Sequence, residues 1–206
     1  MAALSDPGGA LLDFAWAGAA LEGESGDAFV ARVHAGGAVL AVIDGLGHGP
    51  HAAAAARRAS AIVNAERELG VEELFRRCHE GLVETRGAVM SLASYDHSRS
   101  SLEWAGVGNV EGVLLRAVVM PGFADMELAA RGGVLGFRMP ELRVSSLRVA
   151  RRDVLILATD GIRGEFWREV NRHAAPQAIA DFVLSRFGRR DDDALVLVAR
   201  YLEAAS

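Results

Sequence analysis

The chain has one cysteine, Cys78, so no internal disulfide is available, and a reducing compartment is the natural reading. Cys78 sits in the helix-like run from Phe75 to Leu82 and reads as a packing residue, not a nucleophile. No apolar run is long enough to span a bilayer. The opening segment lacks the basic start of a secretory leader and already carries Asp6 and Asp13. No sign of charge dominates: 22 basic and 27 acidic residues are interspersed, and the net charge of −5 gives no reason to expect a nucleic-acid partner. Gly47 and Gly49 precede a helix-like run, but no Gly-Lys-Ser or Gly-Lys-Thr follows, which excludes a nucleotide P-loop. Repeats, low-complexity linkers and shifts of composition are missing too. These absences point to a cytoplasmic, soluble protein with no membrane partner and a single domain over residues 1–206; the sequence leaves the oligomeric state open, with a monomer favoured.

What is present is apolar sequence in short runs. Hydrophobic residues make up 51% of the 206 positions, ample for a sizeable core. Residues 11–20 read as a first strand. Residues 27–44 read as a hairpin, because two β-like runs flank Ala35-Gly36-Gly37-Ala38 and a Gly-Gly pair suits a tight turn. Pro50 and the alanines from Ala52 to Ala56 open a helix over 50–68, and a second helix follows over 71–85. Strand-like runs occupy 88–95, 101–106, 110–119, 124–130 and 141–149. Residues 153–161 read as a fully buried strand, 175–187 as a helix and 193–201 as a last strand. Many strands with two groups of helices imply one compact α+β domain.

Four acids stand at the ends of these strands. Asp44 ends the second arm of the hairpin and Asp27 begins the first, so the two fall at one sheet edge, within about two residues of direct pairing. Near the C-terminus the construction recurs. Asp160 ends one apolar run, and Asp191, Asp192 and Asp193 precede another. If those two strands are antiparallel neighbours, Asp160 and Asp192 share an edge. Each unit alone reads as ordinary turn chemistry or a solvated acidic turn. Together they make a set of carboxylates that repel one another unless a cation lies between them, and hard ions such as Mg²⁺ or Mn²⁺ take oxygen ligands of this kind. Gly45 then reads as the residue that lets the backbone turn and bring its carbonyl toward the ion.

These residues resemble the metal-dependent protein phosphatases (type 2C, or PPM), in the bacterial SpoIIE/RsbX-like branch. Five elements carry the resemblance, in order: Ser25-Gly26-Asp27, Asp44 to Gly49 (DGLGHG), Ala105-Gly106-Val107-Gly108-Asn109, Ala158-Thr159-Asp160-Gly161 and Asp192-Asp193. Gly132-Gly133-Val134-Leu135-Gly136 fits a further element of the branch. The resemblance implies a four-layer αββα sandwich, two antiparallel sheets face to face with helices on both outer faces and the metals at one end. It implies two Mn²⁺ or Mg²⁺ ions. Asp44 would bridge them and the Gly45 carbonyl would complete one site. Asp160 and Asp192 would hold one ion, and Asp27 the other, directly or through water. Asp192 is preferred to Asp193 because the branch places acid, acid or amide, then a small or apolar residue before the strand. A water activated between the ions would attack phosphorus in line, with no covalent intermediate on the protein.

The layout is similar to RsbX-like enzymes, which implies phosphorylated STAS-domain stressosome proteins as substrates. A catalytically weak binding module of the same fold and a hydrolase of small phosphorylated molecules are the other readings. Two features depart from relatives. Leu46 stands where many members carry a histidine, leaving His48 or His51 as the acid that protonates the leaving oxygen. The stretch Leu21–Gly26 carries Glu22 and Glu24 but no phosphate-clamping arginine. Trp16, Trp104 and Trp167 read as core residues, and the arginine doublets as solvated faces.

Overall fold

The computed structural model describes residues 12–34, 36–66 and 69–202. Residues 1–11, on which the leader reading rests, Ala35 of the hairpin turn, and the expected helix end at 67–68 lie outside them.

Gly37 reaches the hairpin turn so close to Tyr95 that any side chain there would overlap the Tyr95 carbonyl. The hairpin arms are β2 (Asp27–His34) and β3 (Gly37–Gly45), flanked by β1 (Leu12–Ala19) and by helices α1 (Pro50–Ala65) and α2 (Val71–Gly81). There follow β4 (Ala88–Asp96), β5 (Ser101–Val107), β6 (Glu111–Leu115), β7 (Met126–Leu128), β8 (Ser145–Arg148), β9 (Val154–Ala158), α3 (Pro176–Phe187) and β10 (Ala194–Tyr201). Two five-stranded antiparallel sheets result, ordered β1-β10-β9-β6-β7 and β2-β3-β4-β5-β8.

Side-chain alternation along each strand explains the layers. On β3, Ala38, Leu40 and Val42 meet Leu157 and Leu197 between the sheets. The alternate residues Val39, Ala41 and Ile43 face α1 and α2. On the other sheet, Ile156, Val196 and Val198 pack against Ile179 and Val183 of α3. Both faces of the central strands are covered, so they read as continuous apolar runs. The order helix, sheet, sheet, helix is the αββα sandwich the resemblance implies.

Alanine content sets the position of α1. Ala52, Ala53, Ala55, Ala56 and Ala59 are buried, and their small side chains let the helix lie close against β2 and β3.

Several expected boundaries shift. The second helix stops at Gly81, where the Leu82 N–H turns back to the Cys78 carbonyl and a short turn leads to Arg86. The expected strand over 110–119 stops at Leu115. Arg116 instead turns inward to Asp153 at 2.8 Å, and the Asp153 carboxylate also accepts from Ala117 and Ala150 N–H. This buried pair closes the sandwich at the end opposite Asp160. Trp104 is in the core, but Trp16 is 46% exposed and leans on Phe29 with ring centroids 4.9 Å apart. Cys78 is buried and burial raises its thiol to about 12, in keeping with a packing role.

Candidate metal centre

Asp27 and Asp44 are direct cross-strand partners in the β2–β3 ladder. The facing sheet brings up the other acids. The Thr159 N–H donates to the Leu195 carbonyl at 3.0 Å and Thr159 Oγ1 accepts from the Leu195 N–H at 2.9 Å, which carries Asp160 past the last ladder pair beside the residues that lead β10. Thr159 Oγ1 in turn donates to Asp27 Oδ2 at 2.8 Å, across the gap between sheets. Asn109 Nδ2 donates to Asp160 Oδ2 at 2.6 Å.

Gly45 behaves differently from the sequence expectation. It is still in β3, with its N–H on the Gly26 carbonyl at 3.0 Å. A Cβ there would run into the Ala52 carbonyl of α1. Its small size permits close helix packing, and the turn itself is made by Gly47 and Gly49, at φ 87° and 74°. The Arg86 guanidinium lies over Gly47, where a Cβ would stand 3.0 Å from Nη1.

The acidic triplet divides its labour. Asp193 is buried, and its carboxylate accepts from Leu21 N–H and Gly26 N–H, both at 2.7 Å. It thereby fastens the β1–β2 connection that delivers Asp27. Asp191 is exposed and chelates Arg189, with both bonds at 3.1 Å. Asp192 lies between them, half-buried, with Oδ1 on the Asp193 N–H at 3.0 Å.

Asp44, Asp160, Asp192, His48 and Asn109 line one cleft of about 380 Å³, open to solvent. Asp27 opens on the other side, into a cleft bordered by Trp16, Ser25 and Phe29. Asp27 and Asp44 are therefore neighbours whose free sides face different spaces. His48 is exposed at the cleft rim, and His51 is exposed one helical residue beyond Pro50.

Burial and mutual repulsion oppose charge here. Burial first, then Asp27, Asp160, Asp192 and Asp193, pushes the Asp44 carboxyl up to about 8. Burial raises Asp27 to about 7 against the lowering effect of the Thr159 hydrogen bond, with Asp193, Asp160 and Asp192 adding to the rise. Asp192 is raised by burial and by Asp160. Among the described residues, no three His, Cys, Asp or Glu side chains stand close enough to form a ready-made cation cage. The donor set nevertheless fits a hard divalent ion. The donors are carboxylates in mutual repulsion, and a cation between them removes the cause of their raised values. Asp27 and Asp160 each commit one oxygen, Oδ2, to a neutral donor, and among the described residues Oδ1 makes no hydrogen bond in either.

Sequence reasoning did not assign Thr159, Asn109 or Asp193 these positions. Asn109 and Thr159 belong to the Ala105–Asn109 and Ala158–Gly161 motifs, but the contacts they make cross between strands far apart in sequence.

The family model for stage II sporulation protein E (SpoIIE) matches residues 34–202. Asp44, Asp160 and Asp192 fall inside the match and Asp27 precedes it. Among solved structures, one from work on the bacterial stressosome, a modular system adapted to control secondary messenger signalling, is 32% identical. It matches over 92% of this chain and 99% of its own, with a TM-score of 0.83. A crystal structure of RsbX in complex with magnesium is 20% identical over 92% of this chain and 95% of its own, with a TM-score of 0.81. The PP2C phosphatase domain of SpoIIE from Bacillus subtilis, with a fragment of its regulatory domain, is 20% identical. It matches 95% of this chain and 64% of its own, with a TM-score of 0.74. No curated protein matches the chain.

Proposed function

The chain belongs to the SpoIIE family, in the SpoIIE/RsbX-like branch of the metal-dependent PP2C-type phosphatases, and from that premise we propose that it is an active phosphoserine/phosphothreonine protein phosphatase. The observation that carries the proposal is that Asp44, Asp160 and Asp192 line one cleft at one end of the sandwich, with Asp27 beside Asp44 across the β2–β3 ladder and both of that pair held well above the ordinary carboxylate range.

In this reading Asp44 and the Gly45 carbonyl, Asp160, Asp192 and Asp27 hold two Mn²⁺ or Mg²⁺ ions. Bound there, the ions would supply a water more acidic than bulk water and would offset phosphoryl charge. The protein's own residues do the rest. Thr159 and Asn109 fix the rotamers of Asp27 and Asp160, so both carboxylates are aimed before substrate arrives. His48, at the cleft rim, holds the proton for the leaving serine or threonine oxygen.

The cleft is open to solvent, which favours a phosphorylated side chain presented by a protein over an enclosed small molecule. The stressosome-related neighbour at 32% identity supports phosphorylated STAS-domain proteins as the substrates. Among the described residues no helix is long and apolar enough to cross a membrane; the reading takes the enzyme as cytoplasmic, of one domain and a monomer. The test is phosphate release from phosphorylated STAS-domain proteins, compared with a generic aryl phosphate, with and without Mn²⁺. Release that needs Mn²⁺ and is faster from the protein supports the reading. Undiminished release after exhaustive chelation overturns it.

A further inference from the structure

Asp191 lines two clefts. One is the acidic cleft with Asp44, Asp160 and Asp192; the other, about 570 Å³, is bordered by Arg163, Ser185, Gly188, Arg189 and Arg190. Backbone pairing builds this second cleft. The Arg163 N–H donates to the Phe187 carbonyl at 2.9 Å and the Arg189 N–H to the Gly161 carbonyl at 2.7 Å, so the segments just after Asp160 and just before Asp192 are stapled together. The arginines are thus fixed relative to the acids by the same short bridge.

Charge is distributed unevenly there. The sequence contains no lysine, so all 22 basic residues are arginines, in a chain of net charge −5. Arg186, next to this cleft, faces Glu169 at 3.6 Å, and Arg189 is chelated by Asp191. Among the described residues, the Arg163 guanidinium donates to the Arg186 carbonyl, at 2.6 Å, and to no other group. Among the described residues neither Arg163 nor Arg190 has a carboxylate within ion-pairing distance, and both are exposed. Two uncompensated guanidinium groups therefore stand across the Asp191 wall from a cleft rich in carboxylates.

We propose that the arginine cleft receives an acidic stretch of the substrate protein, with aspartate or glutamate side chains flanking the phosphorylated residue; this rests on the phosphatase reading above. A chain that places its phosphate in the acidic cleft and crosses Asp191 brings its next residues over Arg163 and Arg190. Carboxylates there meet planar guanidinium forks that match them in geometry, while the rest of the rim repels them. Asp191 occupies Arg189 in the way a substrate carboxylate would, so it sets how much of the positive charge is available.

The test compares kcat/KM for two phosphopeptides of matched length, one with aspartate flanks and one with alanine flanks, at saturating Mn²⁺. Wild type is expected to favour the acidic peptide roughly fivefold, mainly through KM, the size expected of two exposed ion pairs. The double variant R163E/R190E is expected to bring that ratio to about one or invert it. D191N, which releases Arg189, is expected to raise it. Raising ionic strength is expected to shrink the wild-type ratio, since exposed pairs are screened over about 8 Å at physiological salt. A wild-type ratio of one overturns the proposal, as does a double variant that slows both peptides equally and keeps the ratio. If wild type turns over neither peptide nor an aryl phosphate, the phosphatase reading is what fails. Docking is then read from fluorescence binding of the labelled acidic peptide, which R163E/R190E must weaken for the proposal to stand.

Discussion

Thr159 Oγ1 donates to Asp27 Oδ2 at 2.8 Å, and the same oxygen accepts the Leu195 N–H at 2.9 Å. One hydroxyl thus joins the two sheets at the acidic end and fixes the direction of Asp27. We expect Thr159→Val to destabilise the protein by about 1–3 kcal/mol, because it strands a buried N–H donor and removes the bond to Asp27. Turnover should fall as well, with a higher Mn²⁺ requirement. Thr159→Ser keeps the hydroxyl and should restore both. Chemical denaturation and Mn²⁺ titration of the three proteins check this; a Val variant with unchanged Mn²⁺ dependence would separate the hydroxyl from the metal centre.

Asp44 tests the centre most directly. Asp44→Asn is expected to leave the fold intact and reduce turnover by far more than tenfold, a barrier change well above ~1.4 kcal/mol. Binding to the folded state alone stabilises by about 2.7 kcal/mol at a hundredfold excess over Kd, so wild type should gain several degrees in thermal unfolding with Mn²⁺ and the variant little. A variant that keeps both the shift and more than a tenth of the rate would reduce Asp44 to a turn residue.

The raised carboxyls of Asp27 and Asp44 set a direction for stability against pH in chelator-treated protein. In the unfolded chain both titrate near the ordinary 3.8, whereas folded Asp27 titrates at about 7 and Asp44 at about 8. Between pH 4 and 8 the folded state therefore holds protons that the unfolded state has released. Stability must fall as pH rises through that window, by up to about 1.4 kcal/mol per pH unit for each such proton, and level off above it. Urea unfolding in EDTA should give a lower midpoint at pH 8 than at pH 5.5. Asp44→Asn should flatten the difference, and Mn²⁺ at pH 8 should reverse it. A wild-type midpoint that rises across this window would contradict the sign.

The acidic triplet gives three distinct expectations. Asp192→Ala should raise the Mn²⁺ concentration needed for turnover, in the same direction as Asp160→Ala. Asp193→Ala should cost about 2–4 kcal/mol of stability, since its buried carboxylate satisfies two N–H groups of the β1–β2 connection, and should impair turnover through the position of Asp27. Asp191→Ala should leave stability within about 0.5 kcal/mol, as expected for an exposed pair with Arg189. Metal titration and denaturation of the three variants decide it. A stable Asp193→Ala with a lost metal response would shift the proposed ligand by one residue.

The amino-acid sequence determined the strand ends. The Gly-Gly hairpin put Asp27 within about two residues of Asp44 at one sheet edge, and the ladder made them direct partners, because an antiparallel register is fixed once its turn is fixed. It determined the alanine face of α1 and, through the ordered motifs, the αββα arrangement. It did not determine where the Asp44 loop turns, because the packing of Ala52 claims the space at Gly45 and the positive φ falls on Gly47 and Gly49. Nor did it distinguish the members of the Asp191-Asp192-Asp193 run, which are chemically identical and adjacent. Their separation into ion-pair partner, cleft residue and buried anchor is made by what faces each one: Arg189 two residues away, the open cleft, and the N–H groups of Leu21 and Gly26. The Thr159–Asp27 and Asn109–Asp160 bonds span 132 and 51 residues. No local pattern encodes contacts of that range. They exist because two separately formed sheets share one hydrophobic layer, and closing that layer decides which polar side chains meet at its edge.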